Sequence, residues 1–243
     1  MINIVIPMAG LGSRFSKAGY KKPKPFIDVA GKTMIERVLD NLSVPNSRFI
    51  LIAREEHLKD YPDHIKSIKE SYNSEFFPVS SLTQGTACSV LLARDHINDN
   101  NPMVIANSDQ LVDINFNSFL EDANERDLDG SILTFEDPSK NPKWSFAKIN
   151  SNNEVIQVKE KDPISTFATV GIYYFKHGSL FVNGAIDMIL QQDTVNNEYY
   201  TCPVYNYLLK KKRSVGIYNM QQDQMHGIGT PEDLDIYLNK YCD

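Results

Sequence analysis

The sequence predicts an α/β protein built on a doubly wound, mostly parallel sheet, with a strand-rich second half that completes the same sheet. Three observations predict it. Over residues 1–129 short apolar runs alternate with segments whose apolar residues recur at helical spacing, which right-handed crossovers turn into a parallel sheet covered on both faces. From about Gly130 the apolar runs crowd together with turn residues between them, as paired strands do. The 243 residues, 42% of them hydrophobic, suffice for one large core, so a single domain over 1–243 is expected, composed of halves 1–129 and 130–243.

The β-branched run at residues 3–7 opens the sheet. Residues 33–42 place Met34, Ile35, Val38, Leu39 and Leu42 on one helical stripe. Residues 48–53 read as a buried strand, 63–72 as a polar helix and 76–79 as a further strand. One helix is expected over 86–96, with Ala87, Val90 and Leu91 inward, and another strand over 102–106. Beyond Gly130 come strands at 131–135, 146–149, 155–159 and 168–175, with Asn152-Asn153 as the turn between the middle pair. Helices at 179–191 and 202–211 and a strand at 214–218 precede the last helix. Its start carries Thr230 as N-cap, Pro231 at the first helical position, and Glu232 and Asp233 where the helix dipole favours negative charge.

The chain carries 25 Lys and Arg against 31 Asp and Glu, a net charge of −6 that excludes a broad nucleic-acid or anionic-membrane surface. Its cations are nonetheless concentrated. Six of the 25 (Arg14, Lys17, Lys21, Lys22, Lys24 and Lys32) fall between residues 14 and 32, with Asp28 the single acid among them. Cys88, Cys202 and Cys242 are far apart and match no metal-ligand spacing, which predicts a reduced, cytoplasmic chain. Residues 1–7 lack the charged start of a signal peptide and read as a strand, and no run of about 18 apolar residues predicts a membrane span.

The sharpest chemical feature is Pro7-Met-Ala-Gly10-Leu-Gly12-Ser-Arg14, directly after the first strand. Two glycines let backbone N–H groups turn toward an oxyanion, and the Arg14 guanidinium suits phosphate oxygens. A dinucleotide fingerprint requires a third glycine where Phe15 stands and an acid near Ala53-Arg54, and a P-loop requires Gly-Lys-Ser/Thr; neither is met. By itself the loop reads equally as a tight strand-to-loop turn. Downstream, Lys24 is fixed between Pro23 and Pro25, where two stiff neighbours hold its backbone and reduce the entropy lost on engaging a ligand.

With these residues the chain resembles the sugar-phosphate nucleotidyltransferases, the nucleotide-sugar pyrophosphorylases. Further landmarks of that family stand in order. They are Gly31-Lys32 at a helix entry, Gly85-Thr86-Ala87, Asn107-Ser108-Asp109, Val158-Lys159-Glu160-Lys161, Val170-Gly171-Ile172-Tyr173 and Gly229-Thr230-Pro231-Glu232. The resemblance implies a Rossmann-like, glycosyltransferase-A-like core, with 1–129 binding the nucleotide and 130–243 the acceptor. It implies an NTP and a phosphorylated small-molecule acceptor as partners, with products that feed surface polysaccharide or other glycan assembly. Arg14, Lys24 and Lys161 take the catalytic roles, on the leaving phosphates, the α-phosphate and the acceptor phosphate. Ala9, Gly10, Leu11, Gly12, Ser13, Ser80, Gly85, Thr86, Asn107 and Ser108 line the nucleotide, and Phe146, Glu160, Thr169, Gly171 and Glu198 the acceptor.

Asp109, just past a central strand at the carboxyl edge of the sheet, is the candidate Mg²⁺ ligand, since Mg²⁺ takes one or two carboxylates plus phosphate oxygens. A loop-capping aspartate explains the same position. Glu160-Lys161 reads alternatively as an ordinary surface pair. Two departures from the family pattern stand out. Gly227 replaces a second metal carboxylate, which leaves the ion on Asp109 and phosphates or recruits His226 or Asp223, although His226 reads more plainly as a hydrogen-bonded loop histidine. Ser80 stands where users of uridine or thymidine nucleotides often carry Gln, which favours cytidine. His57, His64 and His96 are expected to be solvated, and Trp144 either flanks a substrate or packs. Two other classes compete: a family A glycosyltransferase, against which the Arg14 and Lys24 pair argues, and a non-catalytic nucleotide-binding subunit, which Gly227 suggests. No nucleophile elbow supports covalent catalysis.

Overall fold

The computed structural model describes residues 1–241; Cys242 lies outside the described residues. In chain order the first half runs β1 (Ile2–Pro7), α1 (Ser13–Lys17), β2 (Asp28–Val29), β3 (Lys32–Thr33), α2 (Met34–Leu42), β4 (Ser47–Arg54), α3 (Glu55–Asp60), α4 (Pro62–Ser71), β5 (Ser74–Val79), α5 (Thr86–Leu91), α6 (Arg94–Ile97), β6 (Met103–Ala106), β7 (Gln110–Val112) and α7 (Phe116–Glu125). The second half continues with β8 (Gly130–Glu136), β9 (Ser145–Ile149), β10 (Val155–Glu160), β11 (Phe167–Phe175), α8 (Gly178–Leu190), α9 (Val204–Lys210), β12 (Val215–Met220), β13 (Met225–Gly227) and α10 (Pro231–Tyr241).

The main sheet reads β12-β8-β11-β6-β1-β4-β5. β1 lies between β4 and β6, parallel to both, and β5 extends the parallel run beyond β4. Burial on both faces explains the unbroken apolar sequence of β1. Ile4 and Ile6 enter one core layer with Val38, Leu51 and Phe119, while Val5 enters the other with Ile50, Val90 and Phe181. The second half joins through β11, antiparallel to both β6 and β8. The start of β11 also meets β9 at Ala168 and Phe146, and β10 pairs with β9.

Several local expectations need correction. The helix expected over 86–96 is two, α5 and α6. The N–H groups of Leu92 and Ala93 bond back three residues, to Ser89 and Val90, which tightens the chain and re-aims α6 so that Ile97 is buried. The helix expected from Cys202 begins at Val204, after a turn through Pro203. α7, the β2-β3 hairpin and the β7-β13 pair went unanticipated. His57 is not solvated: it is buried beside the Phe26 ring, and that burial lowers its pKa. His64 stacks on Phe26, whereas His96 is exposed. The start of α10 is as expected, with Thr230 Oγ1 accepting the Asp233 N–H at 3.1 Å.

Candidate active site

The loop after β1 turns on Gly12, whose φ of +60° and close approach to Lys24 leave no room for an ordinary side chain. Phe15, at the place of a third glycine, is buried and meets Tyr20 edge-on at 5.1 Å, pinning the loop to the core. Lys24 opens a tight turn over Lys24–Phe26. That turn is held by the Met34 N–H, which donates to the Ile27 carbonyl at 2.8 Å, and Met34 begins a helix closed by a capping box between Thr33 and Glu36. Lys24 is thus anchored to α2 as well as stiffened by its prolines.

Asp109 leaves the carboxyl end of β6 by way of Asn107 and Ser108. Its carboxylate forms an ion pair with the Lys24 ammonium, both side chains being about three-quarters or more buried, at 24% and 20% exposure. Its backbone carbonyl accepts the Ile228 N–H at 2.9 Å, and its carboxylate lies against Gly229, where any Cβ would collide with it. The opposite ends of the chain therefore fix one carboxyl group.

These parts open onto a cavity of about 580 Å³. Of the residues expected to bind nucleotide or metal, Ala9 to Arg14, Lys24, Gly85, Thr86 and Asn107 to Asp109 all line it. Glu198, expected at the acceptor, lines it too. Ser80 does not: it is exposed beyond β5, and Leu82 and Thr83 take the wall instead. Ser89, likewise unanticipated, faces the cavity from α5; a polar residue on a short apolar helix was the available signal.

Glu160 and Lys161 form a neighbouring cluster. Burial raises the Glu160 pKa, while its carboxylate accepts a hydrogen bond from the Ser145 hydroxyl. The Lys161 ammonium donates to the Tyr200 hydroxyl at 2.7 Å, which raises its pKa, and stands 4.6 Å from the Tyr200 ring centroid. Glu198 acts electrostatically on both, joining this cluster to the cavity. Other expected acceptor residues are structural in position. Phe146 is wholly buried in the core, and Thr169 is buried with its hydroxyl 3.0 Å from that of Tyr173. The Gly171 carbonyl accepts the Asn107 N–H at 3.0 Å. Trp144 packs edge-on against Phe135 at 5.4 Å.

Among the described residues no group of three or more His, Cys, Asp or Glu assembles a cage. His226 Nε2 is 2.7 Å from Asp113 Oδ2 and 3.1 Å from the Tyr241 hydroxyl, so its plainer reading holds, and Asp223 is exposed outside the cavity lining. Gly227, paired with Gln110, adds no carboxylate. Asp109 alone fits an ion that takes its remaining ligands from phosphates and water.

Fold and cavity together define the class of α/β proteins whose crevice opens at the carboxyl edge of a parallel sheet, where ligands bind in open α/β folds. Within that class the chain belongs to the nucleotidyl transferase family, whose model matches residues 4–221. It is 28% identical over 182 residues to the mannose-1-phosphate guanylyltransferase catalytic subunit beta of Dictyostelium discoideum, covering 70% of this chain and 48% of the relative. It is 22% identical over 238 residues to a UTP–glucose-1-phosphate uridylyltransferase of Haloferax volcanii, covering 95% of this chain and 93% of the relative. A solved nucleoside-diphosphate-sugar pyrophosphorylase from Vibrio cholerae superposes with a TM-score of 0.80 at 25% identity, over 97% of this chain and 99% of that one. The chain spans about half the length of the first curated relatives it matches, 48% and 54%. Relatives differ in nucleotide, guanylyl in one and uridylyl in another. Among the described residues no helix is long and apolar enough to cross a membrane.

Proposed function

We propose that the chain transfers a nucleotidyl group from an NTP to a phosphorylated sugar or sugar alcohol, releasing pyrophosphate. The observation that carries this reading is the convergence of Arg14, Lys24 and Asp109 on one cavity that Glu198 also lines, with Glu160 and Lys161 within electrostatic reach of Glu198. A phosphate-monoester oxygen of the acceptor attacks the α-phosphorus, the bond from that phosphorus to the bridging oxygen breaks, and pyrophosphate leaves with the electron pair. Catalysis of this kind is positioning plus neutralisation of charge.

Arg14 and the backbone of residues 10–13 hold the β- and γ-phosphates, and Lys24 leaves Asp109 for the α-phosphate. Lys161 grips the acceptor phosphate, held ready by Tyr200, and Glu160 accepts hydrogen bonds from acceptor hydroxyls. Asp109 is the residue that would hold Mg²⁺, which when bound supplies positive charge to the phosphates. The product is a nucleotide-activated sugar or polyol of the kind consumed in glycan assembly.

The test is a matrix of nucleoside triphosphates against phosphorylated acceptors, scored by pyrophosphate release. Release for at least one pair, lost in Lys24→Ala and Asp109→Ala, is expected; full release in both variants would overturn the reading.

A further inference from the structure

We infer that Lys17, Lys21 and Lys22 capture the nucleotide at range: they raise the rate at which it enters the cavity and do not hold it once bound. This rests on the transfer reading above only in taking the cavity's ligand to be a nucleoside triphosphate. Four charged residues line the cavity and they cancel, Arg14 and Lys24 against Asp109 and Glu198. Lys24 is moreover held on Asp109 in an ion pair. A formally neutral cavity, in a chain of net charge −6, exerts little attraction beyond its rim on a ligand that stays a multivalent anion even with Mg²⁺ bound.

The missing attraction stands beside the rim. Of the six cations between residues 14 and 32, Arg14 and Lys24 line the cavity and Lys32 is paired with Asp40 at 2.6 Å. The other three, Lys17, Lys21 and Lys22, are exposed, lie outside the cavity lining and make no ion pair among the described residues. Lys17 follows Arg14 by three residues on α1, a spacing that puts two side chains side by side, about 5–6 Å apart at Cβ. Lys21 and Lys22 lie between Pro23 and Tyr20, whose N–H donates to the Phe15 carbonyl at 3.1 Å. Chain length alone keeps their Cα atoms within about 11 Å and about 7 Å of that of Lys24. Such separations compare with the screening length, about 8 Å at physiological ionic strength and about 30 Å at 0.01 M. Charges at a rim act on the approaching ligand, so they change association and its salt dependence more than dissociation.

The experiment is stopped-flow binding of ATP, GTP, CTP, UTP and dTTP, each carrying a 3′-methylanthraniloyl fluorophore, to the Mg²⁺-supplemented protein without acceptor. The tightest binder is then followed from about 0.01 M to about 0.3 M NaCl. In the triple variant Lys17→Gln, Lys21→Gln, Lys22→Gln, kon is expected to fall about three- to ten-fold at the lowest salt and to lie within about two-fold of the parent at the highest. The dissociation rate koff changes less than about two-fold. Arginine at the same three positions preserves kon, and neutralising Lys148, Lys210 and Lys212, exposed lysines of the second half, leaves it within about two-fold. Unchanged kon, a raised koff, a gap that survives high salt, or an equal loss in the second-half variant overturns the inference. Melting temperatures equal to the parent's, as expected for exposed lysines, assign a loss of kon to charge and not to folding. Steered binding without pyrophosphate release from any acceptor overturns the transfer reading alone. Pyrophosphate release with kon unchanged in the triple variant overturns this inference alone, and no nucleotide binding by the parent overturns both.

Discussion

The Lys24 ammonium rests on the Asp109 carboxylate across 85 positions of sequence, so the proposed α-phosphate ligand and the proposed metal ligand neutralise each other before any substrate arrives. Each must be released for the other to work. Lys24→Ala is therefore expected to have two effects of opposite sign. Pyrophosphate release falls about 10²- to 10³-fold, as when a charge-stabilising donor is removed. Asp109, freed of its partner, binds Mn²⁺ more tightly in the absence of nucleotide. Electron paramagnetic resonance of free Mn²⁺ checks the second effect; unchanged Mn²⁺ affinity would show that the pair does not compete with metal.

Gly229 gives Asp109 the space it occupies. Gly229→Ala forces the carboxylate away from Lys24, with an overpacking cost of about 1–3 kcal/mol. A melting temperature lowered by a few degrees, with pyrophosphate release down more than about ten-fold, is the expected outcome.

Tyr200 touches Lys161 through both its hydroxyl and its ring. Tyr200→Phe keeps the ring and removes the acceptor of the hydrogen bond. Steady-state kinetics are expected to show KM for the phosphorylated acceptor raised about three- to ten-fold, with KM for the nucleotide little changed. Equal changes in both would place Tyr200 outside the acceptor subsite.

His57 makes stability depend on pH. Burial lowers its folded-state pKa below the ordinary 6.5, so the unfolded chain binds the proton more readily than the folded one. The contribution is complete above pH 6.5 and is lost as pH falls from there through the lower folded value. Chemical denaturation at stepped pH should show His57→Gln less stable than the parent at neutral pH, with the gap narrowing on acidification.

Parts of this architecture were legible because one physical constraint wrote each of them. Two-sided burial makes β1 a continuous apolar run, and a cap with an N1 proline and two first-turn acids marks α10. The break between α5 and α6 left no trace in periodicity, because a shift from four- to three-residue hydrogen bonding keeps the same residues apolar. α7 has its own signal in the sequence: Asn115 caps it, and Phe116, Phe119 and Ala123 fall on one face. At the site, the glycine loop, Lys24 and Asp109 were readable as chemistry, but their convergence depends on β1 and β6 lying side by side. Spacing to the Gly85-Thr86-Ala87 motif gives Ser80 a position along the chain but not a direction, and its side chain lies outside the cavity lining. The burial of His57 depends on Phe26, a residue remote in sequence.

The ladder between β6 and β11 carries a mechanical consequence. Asn107, in the cavity lining, donates its backbone N–H to Gly171 on β11, the strand that joins residues 130–241 to the parallel half of the sheet. Hydrogen-bonded strands in one sheet cannot swing apart as two rigid jaws do. A chain severed near residue 129 would expose the edge of β6 along the rungs that β11 now occupies. Such fragments are expected to associate edge to edge or precipitate when expressed separately, and to regain a soluble fold when expressed together.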